Sequence, residues 1–500
     1  MSKTKKQFVL NTLMPLVLQL TMLASGFIIP RLTLQYYGSS VNGLVSSISQ
    51  FLSVITFLEA GVGSVIRFNL YKPLANSDTK SINAIMTYAC GFFRNIARIL
   101  VAYILVLLFL FPFIITDQQF DFVFTSTLII SISISTIAQY YFGQANQILL
   151  TADQKGYIQS VAQIISVIVN TISCVLLMRT GASIQIVKLS TSIIYLIRPI
   201  FLQWYVKRHY AVLYNVKYDK EPISQKWNGL AQHICSVVLD GTDVIVLTAF
   251  STLTNVSIYS AYHLVLNGIR NLLSASVSGI EPLIGNIIAK NGENGADTAF
   301  KVTENALHII TSFVYGCAFV LIVPFIKVYT KGVNDAEYAQ PIFAFLLTLA
   351  GAGYGYRLPY STLILSAGHY KQTQNSYLVA AALNIIVSVL FVKMYGLCGV
   401  AVGTIVAIYY QIIWMGAYTY KKILKTNTNP FLIRVILDSI NVGLIIMMCN
   451  LAINTDCANY FEWIICALQC AAISAVVTSV TNICFFVRLY RHVRRSKKGE

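Results

Sequence analysis

Apolar residues dominate this chain in long continuous runs rather than in alternation with polar residues. A helix of about 20 apolar residues crosses a ~30 Å hydrocarbon core, whereas a barrel strand alternates over about ten residues. The pattern therefore predicts an all-α polytopic membrane protein with about 14 transmembrane helices. The fourteen runs are 8–30, 42–66, 84–114, 121–143, 157–178, 184–205, 228–250, 257–286, 302–326, 340–365, 374–394, 397–420, 431–453 and 461–487.

The composition supports the same prediction. Hydrophobic residues make up 56% of the 500 positions and charged residues only 11%, against about 25% charged residues in a typical soluble protein. A water-soluble fold of this length could not cover its surface with so few charges. Soluble multidomain, disordered, collagen-like and coiled-coil proteins are excluded by these values.

Lysine and arginine are distributed unevenly among the segments between the runs. If the N-terminus is inside, the inner segments hold 24 of the 36 basic residues and the outer segments hold six. Basic residues favour the cytoplasmic side, so both termini are expected in the cytoplasm. The formal charge of +17 is then a topology signal and a contact for anionic membrane lipids, and no nucleic-acid partner is expected.

The first run is expected to stay in the mature protein. It extends from Phe8 to Pro30, which is longer than the apolar region of a signal peptide, and no small-x-small cleavage site follows it.

Cysteine and histidine give no sign of a metal or redox centre. Nine of the ten cysteines lie in apolar runs, where a thiol packs as a small hydrophobic group, and only Cys457 falls in a predicted loop. The sequence has no CxxC pair, no Cys/His cluster with metal-ligand spacing and no P-loop, so no cofactor is expected. His233, His263 and His308 are isolated and are expected to pack or to form hydrogen bonds.

The sequence repeats itself weakly at an offset of 214 or 215 residues. The offset pairs run 2 with run 8, the 4–5 connection with the 10–11 connection, and run 5 with run 11. This predicts two pseudo-symmetric six-helix bundles in the same orientation plus two extra C-terminal helices, a parallel repeat found in transporters. The matching segments are 44–46 with 258–260, 148–152 with 363–367, and 170–179 with 384–393.

The repeat divides the chain into predicted domains. An N-terminal six-helix lobe covers 1–210, a cytoplasmic linker 211–226, and a C-terminal six-helix lobe 227–425. Two appended transmembrane helices cover 426–487, and a basic cytoplasmic tail covers 488–500. The connections are short, so any activity is expected among the helices, in a cavity between the lobes that opens to alternate sides of the membrane.

Several short segments resemble the Wzx-type oligosaccharide flippases of bacterial surface-polysaccharide assembly. Their superfamily also includes the multidrug (MATE) exporters and the lipid II flippase. The likeness covers nearly the whole chain and is carried by Pro30-Arg31, Tyr37-Gly38, Asn42-Gly43-Leu44, 57–63 (FLEAGVG), 71–75 (YKPLA), 150–153 (LTAD), Gly241-Thr242-Asp243 and Ile258-Tyr259-Ser260.

This resemblance implies a transporter rather than an enzyme. The implied function is translocation of an undecaprenyl-pyrophosphate-linked oligosaccharide from the cytoplasmic to the outer leaflet of the bacterial cytoplasmic membrane. The pathway would be capsule, O-antigen or teichoic acid assembly, which the sequence does not distinguish. A polysaccharide polymerase and glycosyltransferases are candidate partners.

Arginines inside the apolar runs are the candidate substrate ligands, because each costs about 2.5–3.5 kcal/mol to insert at mid-bilayer. Arg270 and Arg357 are expected to bind the pyrophosphate, since a guanidinium group binds phosphate oxygens bidentately. Arg31 and Arg67 would assist at the outer and inner mouths. Arg198 precedes Pro199 and would line a helix kink, contact a lipid headgroup or bind substrate.

Aromatic residues of run 10 are candidates for stacking on sugar rings. Tyr354, Tyr356 and Tyr360 alternate there with Gly351, Gly353 and Gly355. The alternative interpretation is ordinary helix packing, in which glycines permit close approach.

Acidic residues in the runs are candidates for coupling to a proton or to sodium. They are Glu59, Asp240 and Asp243. The alternative for Asp240 and Asp243 is a structural salt bridge with Arg270. Asp438 could pair with Arg434 one turn away. Three deep arginines face four deep acids in this count, so the sequence alone does not predict a strongly cationic cavity.

Two other functions remain open from the residues. An ion-coupled multidrug exporter of the same fold would have an apolar cavity with one or two acids and few arginines. A polytopic glycan-modifying enzyme would need catalytic acids or histidines in sizeable loops, and the outer loops carry few acids, no histidine and no DxD motif.

Overall fold

The structure is a computed structural model that describes residues 3–59, 62–115, 120–210, 213, 216, 230–277, 280–292 and 296–483. The side chains of 3–6, 8, 230–236, 240, 289 and 291 are left out of that description. Most of the predicted linker 211–226, the tail 488–500 and the side chain of Asp240 therefore lie outside the described residues.

Helices make up nearly all of the described chain. They are α1 Lys3–Ser53, α2 Val62–Ala75, α3 Thr79–Ile114, α4 Phe122–Ala138, α5 Gln144–Ala152, α6 Gly156–Arg179, α7 Ile184–His209, α8 Leu230–Phe250, α9 Leu253–Val277, α10 Ile280–Asn291, α11 Asp297–Tyr329, α12 Pro341–Ser366, α13 Tyr370–Tyr395, α14 Leu397–Tyr418, α15 Asn429–Ala452 and α16 Tyr460–Thr481. A 3-10 helix (Val54–Leu58) follows α1, and π-helical turns occupy Gln139–Gly143 and Thr419–Ile423.

The predicted all-α polytopic fold is confirmed. Each of the fourteen apolar runs overlaps a helix, and ten helical segments of the described chain are long and apolar enough to span a membrane. Large apolar side chains point outward from these helices, as lipid-facing residues do: Leu20, Phe113 and Leu451 are 68%, 77% and 79% exposed. The chain is a multi-pass membrane protein.

The first two runs differ from the expected pair of helices. Residues 31–41 do not form a loop, because helix α1 continues through them and bends at Gly38, whose φ is 83° and ψ 174°. A glycine lacks the Cβ that forbids this conformation to other residues. The second run also ends earlier than predicted, because the helix gives way to the 3-10 helix after Ser53.

Contacts between Cα atoms group the chain into two compact units. Unit 1 contains 1–237 and 248–257, and unit 2 contains 238–247 and 258–500. In unit 1, α1 packs on α6, α6 on α7, and α4 on α7. In unit 2, α14 packs on α13 and α12, and α11 packs on α12.

The internal repeat is visible in the backbone turns. The α5–α6 and α12–α13 turns have the same three hydrogen bonds, each shifted by 214 residues, and each has a residue with positive φ, Gln154 (56°) or Gly368 (74°). The 214 register is one residue away from the pairing drawn from the sequence for 148–152. The bonded pairs are Asp153–Leu149, Gln154–Thr151 and Lys155–Leu150 in the first turn and Ala367–Leu363, Gly368–Leu365 and His369–Ile364 in the second.

The appended helices α15 and α16 pack against α11. Their shared core includes Val320, Ile445, Cys449 and Cys470, and the two thiol sulfurs lie 3.5 Å apart. These cysteines therefore contribute as small apolar side chains, as the sequence indicated.

Candidate functional site

Two arginines of unit 2 converge on one tyrosine ring. The guanidinium carbon of Arg270 (α9) lies 3.9 Å from the ring centroid of Tyr354 (α12), and that of Arg357 (α12) lies 5.0 Å from the same centroid. Tyr354 and Arg357 are three positions apart and so share a helix face. Ser274 of α9 lies within hydrogen-bond distance of the Tyr354 hydroxyl, at 3.2 Å. We call Arg270, Tyr354 and Arg357 the arginine cluster.

Arg357 is held in the interior by neutral groups. Its side chain is 9% exposed, and Nη1 donates to Oε1 of the buried Gln411 on α14. Arg357 Nε and Gln411 Nε2 are buried atoms without a hydrogen-bond partner among the described residues. Since unsatisfied buried donors carry a desolvation cost, this pair is arranged to accept an anionic or strongly polar ligand.

Like charge makes the cluster selective for anions. Both guanidinium carbons lie within 5.0 Å of one ring, and the π face of that ring attracts cations. The two positive charges still repel each other in an interior of low dielectric constant. A phosphate or pyrophosphate would relieve that repulsion and accept the available N–H groups bidentately.

Tyr356 does not belong to the arginine cluster. Its hydroxyl lies 2.9 Å from Ser312 Oγ, and its ring centroid lies 5.2 Å from that of His308 on α11. Two positions along a helix turn a side chain by about 200°, so Tyr356 faces away from Tyr354. Tyr360 is fully buried and donates to Glu304. The three tyrosines therefore do not form one wall.

The glycines of α12 serve helix packing. A Cβ built on Gly355 would lie 2.6 Å from Thr311 Cγ2, and one on Gly353 would lie 2.6 Å from Ile408 Cγ2. These distances are shorter than real carbon contacts, so α12 approaches α11 and α14 only because both positions lack a side chain.

A polar cavity lies within unit 1. It has a volume of about 350 Å³ and adjoins a second cavity of similar size. Residues on the first cavity include Glu59, Gln144, Gln163, Tyr195 and Arg198. Lys188, which the sequence count placed in an outer segment, lies on α7 and lines the second cavity.

Neutral amides also hold the charges of this cavity. Gln144 Nε2 donates to both Glu59 carboxylate oxygens, at 3.2 and 3.3 Å. Arg198 Nη2 donates to Gln147 Oε1 at 2.8 Å, and Arg198 Nε is buried without a partner among the described residues. Of the candidate residues in unit 1, the cavity thus contains Glu59 and Arg198.

Arg31 and Arg67 lie elsewhere in unit 1. Arg31 is on α1 and Arg67 on α2, and both are half-buried. Neither is among the residues that line these two cavities.

Asp243 is the centre of an oxygen-rich cluster in unit 2. The side chain on α8 is 3% exposed and accepts from the hydroxyls of Tyr259, at 2.8 Å, and Thr404, at 2.9 and 3.0 Å. Asn384 Nδ2 donates to Thr404 Oγ1 at 3.1 Å, while Asn384 Oδ1 is buried without a partner in the described chain. Carboxylate, hydroxyl and amide oxygens are ligands for hard cations.

Several of these partners were missed by sequence reasoning. Gln144, Gln147 and Gln411 are uncharged, so a search for deep charges passes over them. Asn384 had a signal, because it matches Asn170 in the internal repeat, and both are buried.

Comparison with known proteins gives the fold. No family model and no curated protein sequence matches the chain. Among solved structures, the lipid II flippase MurJ in an inward closed conformation is similar with a TM-score of 0.71 and 14% identity, covering 96% of this chain and 100% of that one.

Multidrug transporters are similar at a lower score. An outward-facing MATE family transporter of the MOP superfamily has a TM-score of 0.55 and 14% identity, covering 82% of this chain and 96% of its own. The Vibrio cholerae MATE transporter VcmN in its bent form has a TM-score of 0.55 and 12% identity, covering 85% and 100%. The chain therefore has the fold of the MurJ lipid II flippase and of the MATE transporters.

Proposed function

We propose that this protein is a flippase that moves an undecaprenyl-pyrophosphate-linked oligosaccharide from the cytoplasmic to the outer leaflet of a bacterial membrane. The observation that carries the proposal is the arginine cluster, because paired guanidinium groups with unsatisfied N–H donors suit a pyrophosphate. No bond is broken in this transfer. The residues instead lower the cost of taking a charged headgroup through hydrocarbon, and alternating access exposes the site to one leaflet at a time.

The acids counted against a cationic site are engaged elsewhere. Asp438 lies 2.5 Å from His308 Nδ1 and 3.3 Å from Arg434 Nη2. Glu59 accepts from Gln144 in unit 1. These contacts supply neighbours other than Arg357, which supports a net positive potential at the arginine cluster.

We further propose that the Asp243 cluster binds a monovalent coupling ion. It combines one carboxylate with the neutral oxygens of Thr404, Tyr259 and Asn384. One negative charge suits sodium or a proton better than a divalent cation. Transport that requires sodium in wild type and loses this requirement in Asp243→Asn would support the role, whereas an unchanged sodium dependence would contradict it.

A leaflet-exchange assay tests the substrate proposal. Purified protein is reconstituted into liposomes with a fluorescent undecaprenyl-pyrophosphate oligosaccharide, and exchange is scored by quenching from outside. Since hydrogen bonds to a charged group contribute about 1.5–3 kcal/mol, Arg357→Gln should slow exchange roughly 10- to 100-fold. Arg98→Gln is the matched control, because Arg98 is exposed on α3 and bonds only Asn95 locally.

The rival function is an ion-coupled multidrug exporter, favoured by the single acid Glu59 in the unit 1 cavity. Exchange by Arg357→Gln at the wild-type rate, together with drug resistance lost in Glu59→Gln, would replace the flippase proposal. The polymerase and glycosyltransferase partners belong to the flippase proposal and would be abandoned with it.

A further inference from the structure

A chain of five buried side chains crosses unit 2 outside the arginine cluster. Tyr420 donates to Glu304 Oε2 at 2.7 Å, and Tyr360 donates to Glu304 Oε1 at 2.8 Å. The Tyr360 hydroxyl also lies 3.2 Å from His308 Nε2, and His308 Nδ1 lies 2.5 Å from Asp438 Oδ2. We call these five residues the acid–histidine chain.

The acid–histidine chain joins four helical elements. Glu304 and His308 lie on α11, Tyr360 on α12, Tyr420 in the π-helical turn after α14, and Asp438 on the appended helix α15. All five are buried, with exposures from 0% to 4%. In such surroundings each hydrogen bond has to contain a hydrogen, because an unmatched buried pair is costly.

Counting hydrogens shows that the chain holds one more proton than its neutral histidine and ionised acids supply. Its four contacts need four hydrogens. Tyr420, Tyr360 and a neutral imidazole contribute one each. The fourth must reside on His308, Asp438 or Glu304, whichever way the tyrosine hydroxyls are turned.

Counting charges gives the same number. Glu304 and Asp438 carry two negative charges, and Arg434 supplies one positive charge 3.3 Å from Asp438 Oδ1. One added proton makes the buried group neutral, whereas its loss leaves an uncompensated charge. Arg434 is kept in place by Asn305 and Asn482, at 3.1 and 2.9 Å.

The neighbouring titratable groups do not alter this balance. Tyr356 on α12 and Tyr409 on α14 are phenols that act on Asp438 electrostatically. Asp297 on α11 acts on Tyr420 and is paired with Lys301 at 2.7 Å. Ser312 donates to the second oxygen of Asp438 at 3.3 Å.

We propose that the acid–histidine chain is a proton-binding site, and that the bound proton fastens the appended helix α15 to α11 and α12. Loss of the proton leaves one of the four contacts without a hydrogen and one charge without a counterion. Deprotonation therefore weakens the attachment of α15 through Asp438. The site is separate from the arginine cluster and does not depend on what the protein carries.

Thermal unfolding of the purified full-length protein in detergent tests this, from about pH 6 to about pH 9. An unfolded histidine is largely neutral above about pH 6.5, while the folded site retains its proton. Folding then takes up one proton, and the unfolding equilibrium rises up to tenfold per pH unit. The wild-type Tm should therefore fall as the pH rises.

Two substitutions supply the missing hydrogen covalently. Asp438→Asn gives an amide N–H to His308 Nδ1, and Glu304→Gln gives one to the Tyr360 oxygen. Each leaves four hydrogens for four contacts and should flatten this pH dependence. Asp456→Asn is the control, because Asp456 is an exposed loop acid whose side chain is 86% exposed, and it should keep the wild-type slope.

The double variant separates this proposal from general damage. Asp438→Asn with Glu304→Gln brings five hydrogens to four contacts and a net positive charge. Its Tm should fall below the value expected from adding the two single shifts. Single variants that keep the wild-type pH slope, or a double variant that is simply additive, would overturn the proton-binding site.

Discussion

Single arginines inside these helices are stabilised by neutral amides. Arg357 donates to Gln411 and Arg198 donates to Gln147. An amide oxygen satisfies part of the guanidinium group without cancelling its charge, so the cation remains able to attract a ligand. A carboxylate in the same place would remove that attraction.

Gln411→Glu should therefore inactivate flipping without unfolding the protein. The new carboxylate would form an ion pair with Arg357 and neutralise one cation of the arginine cluster. We expect pyrophosphate-lipid exchange to fall about tenfold or more, with Tm unchanged or higher. Gln147→Glu is the matched control at Arg198, and equal loss of exchange in both variants would mean that the cluster is not specifically required.

Gly355→Ala should destabilise the protein because its Cβ would meet Thr311. Overpacking of this kind costs about 1–3 kcal/mol, which thermal unfolding measures. Gly91→Ala is the control, since nothing lies within 4 Å of its Cβ and alanine is the better helix former. If both variants melt at the same temperature, α12 is not packed as closely as described.

Sequence reasoning found the deep charges but not their partners. Arg270 and Arg357 are conspicuous because hydropathy makes any charge in an apolar run exceptional. Their convergence on Tyr354 depends on how α9 packs beside α12, and 84 residues separate Arg270 from Tyr354 along the chain. His308 was expected only to pack or form hydrogen bonds, since Glu304 and Asp438 join it through tertiary structure.

At the scale of helices, apolar periodicity gives the elements but not their continuity. The polar stretch between the first two runs was expected to separate two helices, yet α1 passes through it with a bend at Gly38. Backbone hydrogen bonds sustain a helix whatever the polarity of its side chains. Hydropathy therefore marks where lipid is met rather than where a helix ends.

The repeated turns predict a stabilising substitution. Gln154 has a φ of 56°, where its partner in the repeat, Gly368, has 74°. A left-handed residue with a Cβ costs about 1 kcal/mol that glycine avoids. Gln154→Gly should raise the stability by about 0.5–1 kcal/mol, because the bond from Asn11 Nδ2 goes to the backbone oxygen and is retained.

Ser183→Gly provides the comparison for that measurement. Ser183 precedes α7 with a φ of −66° and makes no capping bond, so glycine there should slightly lower Tm. A lower Tm for Gln154→Gly as well would show that the turn is not strained.

At the scale of the whole molecule, the distribution of lysine and arginine predicts its orientation. Cys457 lies in the loop between α15 and α16, which should face outward, and Lys80 begins α3 on the inner side. An impermeant maleimide added to intact cells should label a variant that retains only Cys457. A cysteine-free Lys80→Cys variant should react only after permeabilisation, and the reverse pattern would invert the topology.

The same label should show an unusual pH dependence. Burial, and then the neighbouring Cys466 thiol, raise the pKa of Cys457 to about 11. The thiolate is the reactive form. Labelling in wild type should therefore keep rising about tenfold per pH unit beyond pH 8.5, where an ordinary exposed thiol levels off. A plateau near pH 8.5 would contradict the buried position of this thiol.

The two arginine–glutamine pairs record how the halves diverged. The first half has its cation on α7 and its amide on α5, while the second has its cation on α12 and its amide on α14, the equivalent helices in exchanged roles. An alignment of the halves scores these columns as mismatches although the same bridge persists. Selection has preserved a contact and let its addresses migrate, so shared ancestry here is better read from interactions than from matching letters.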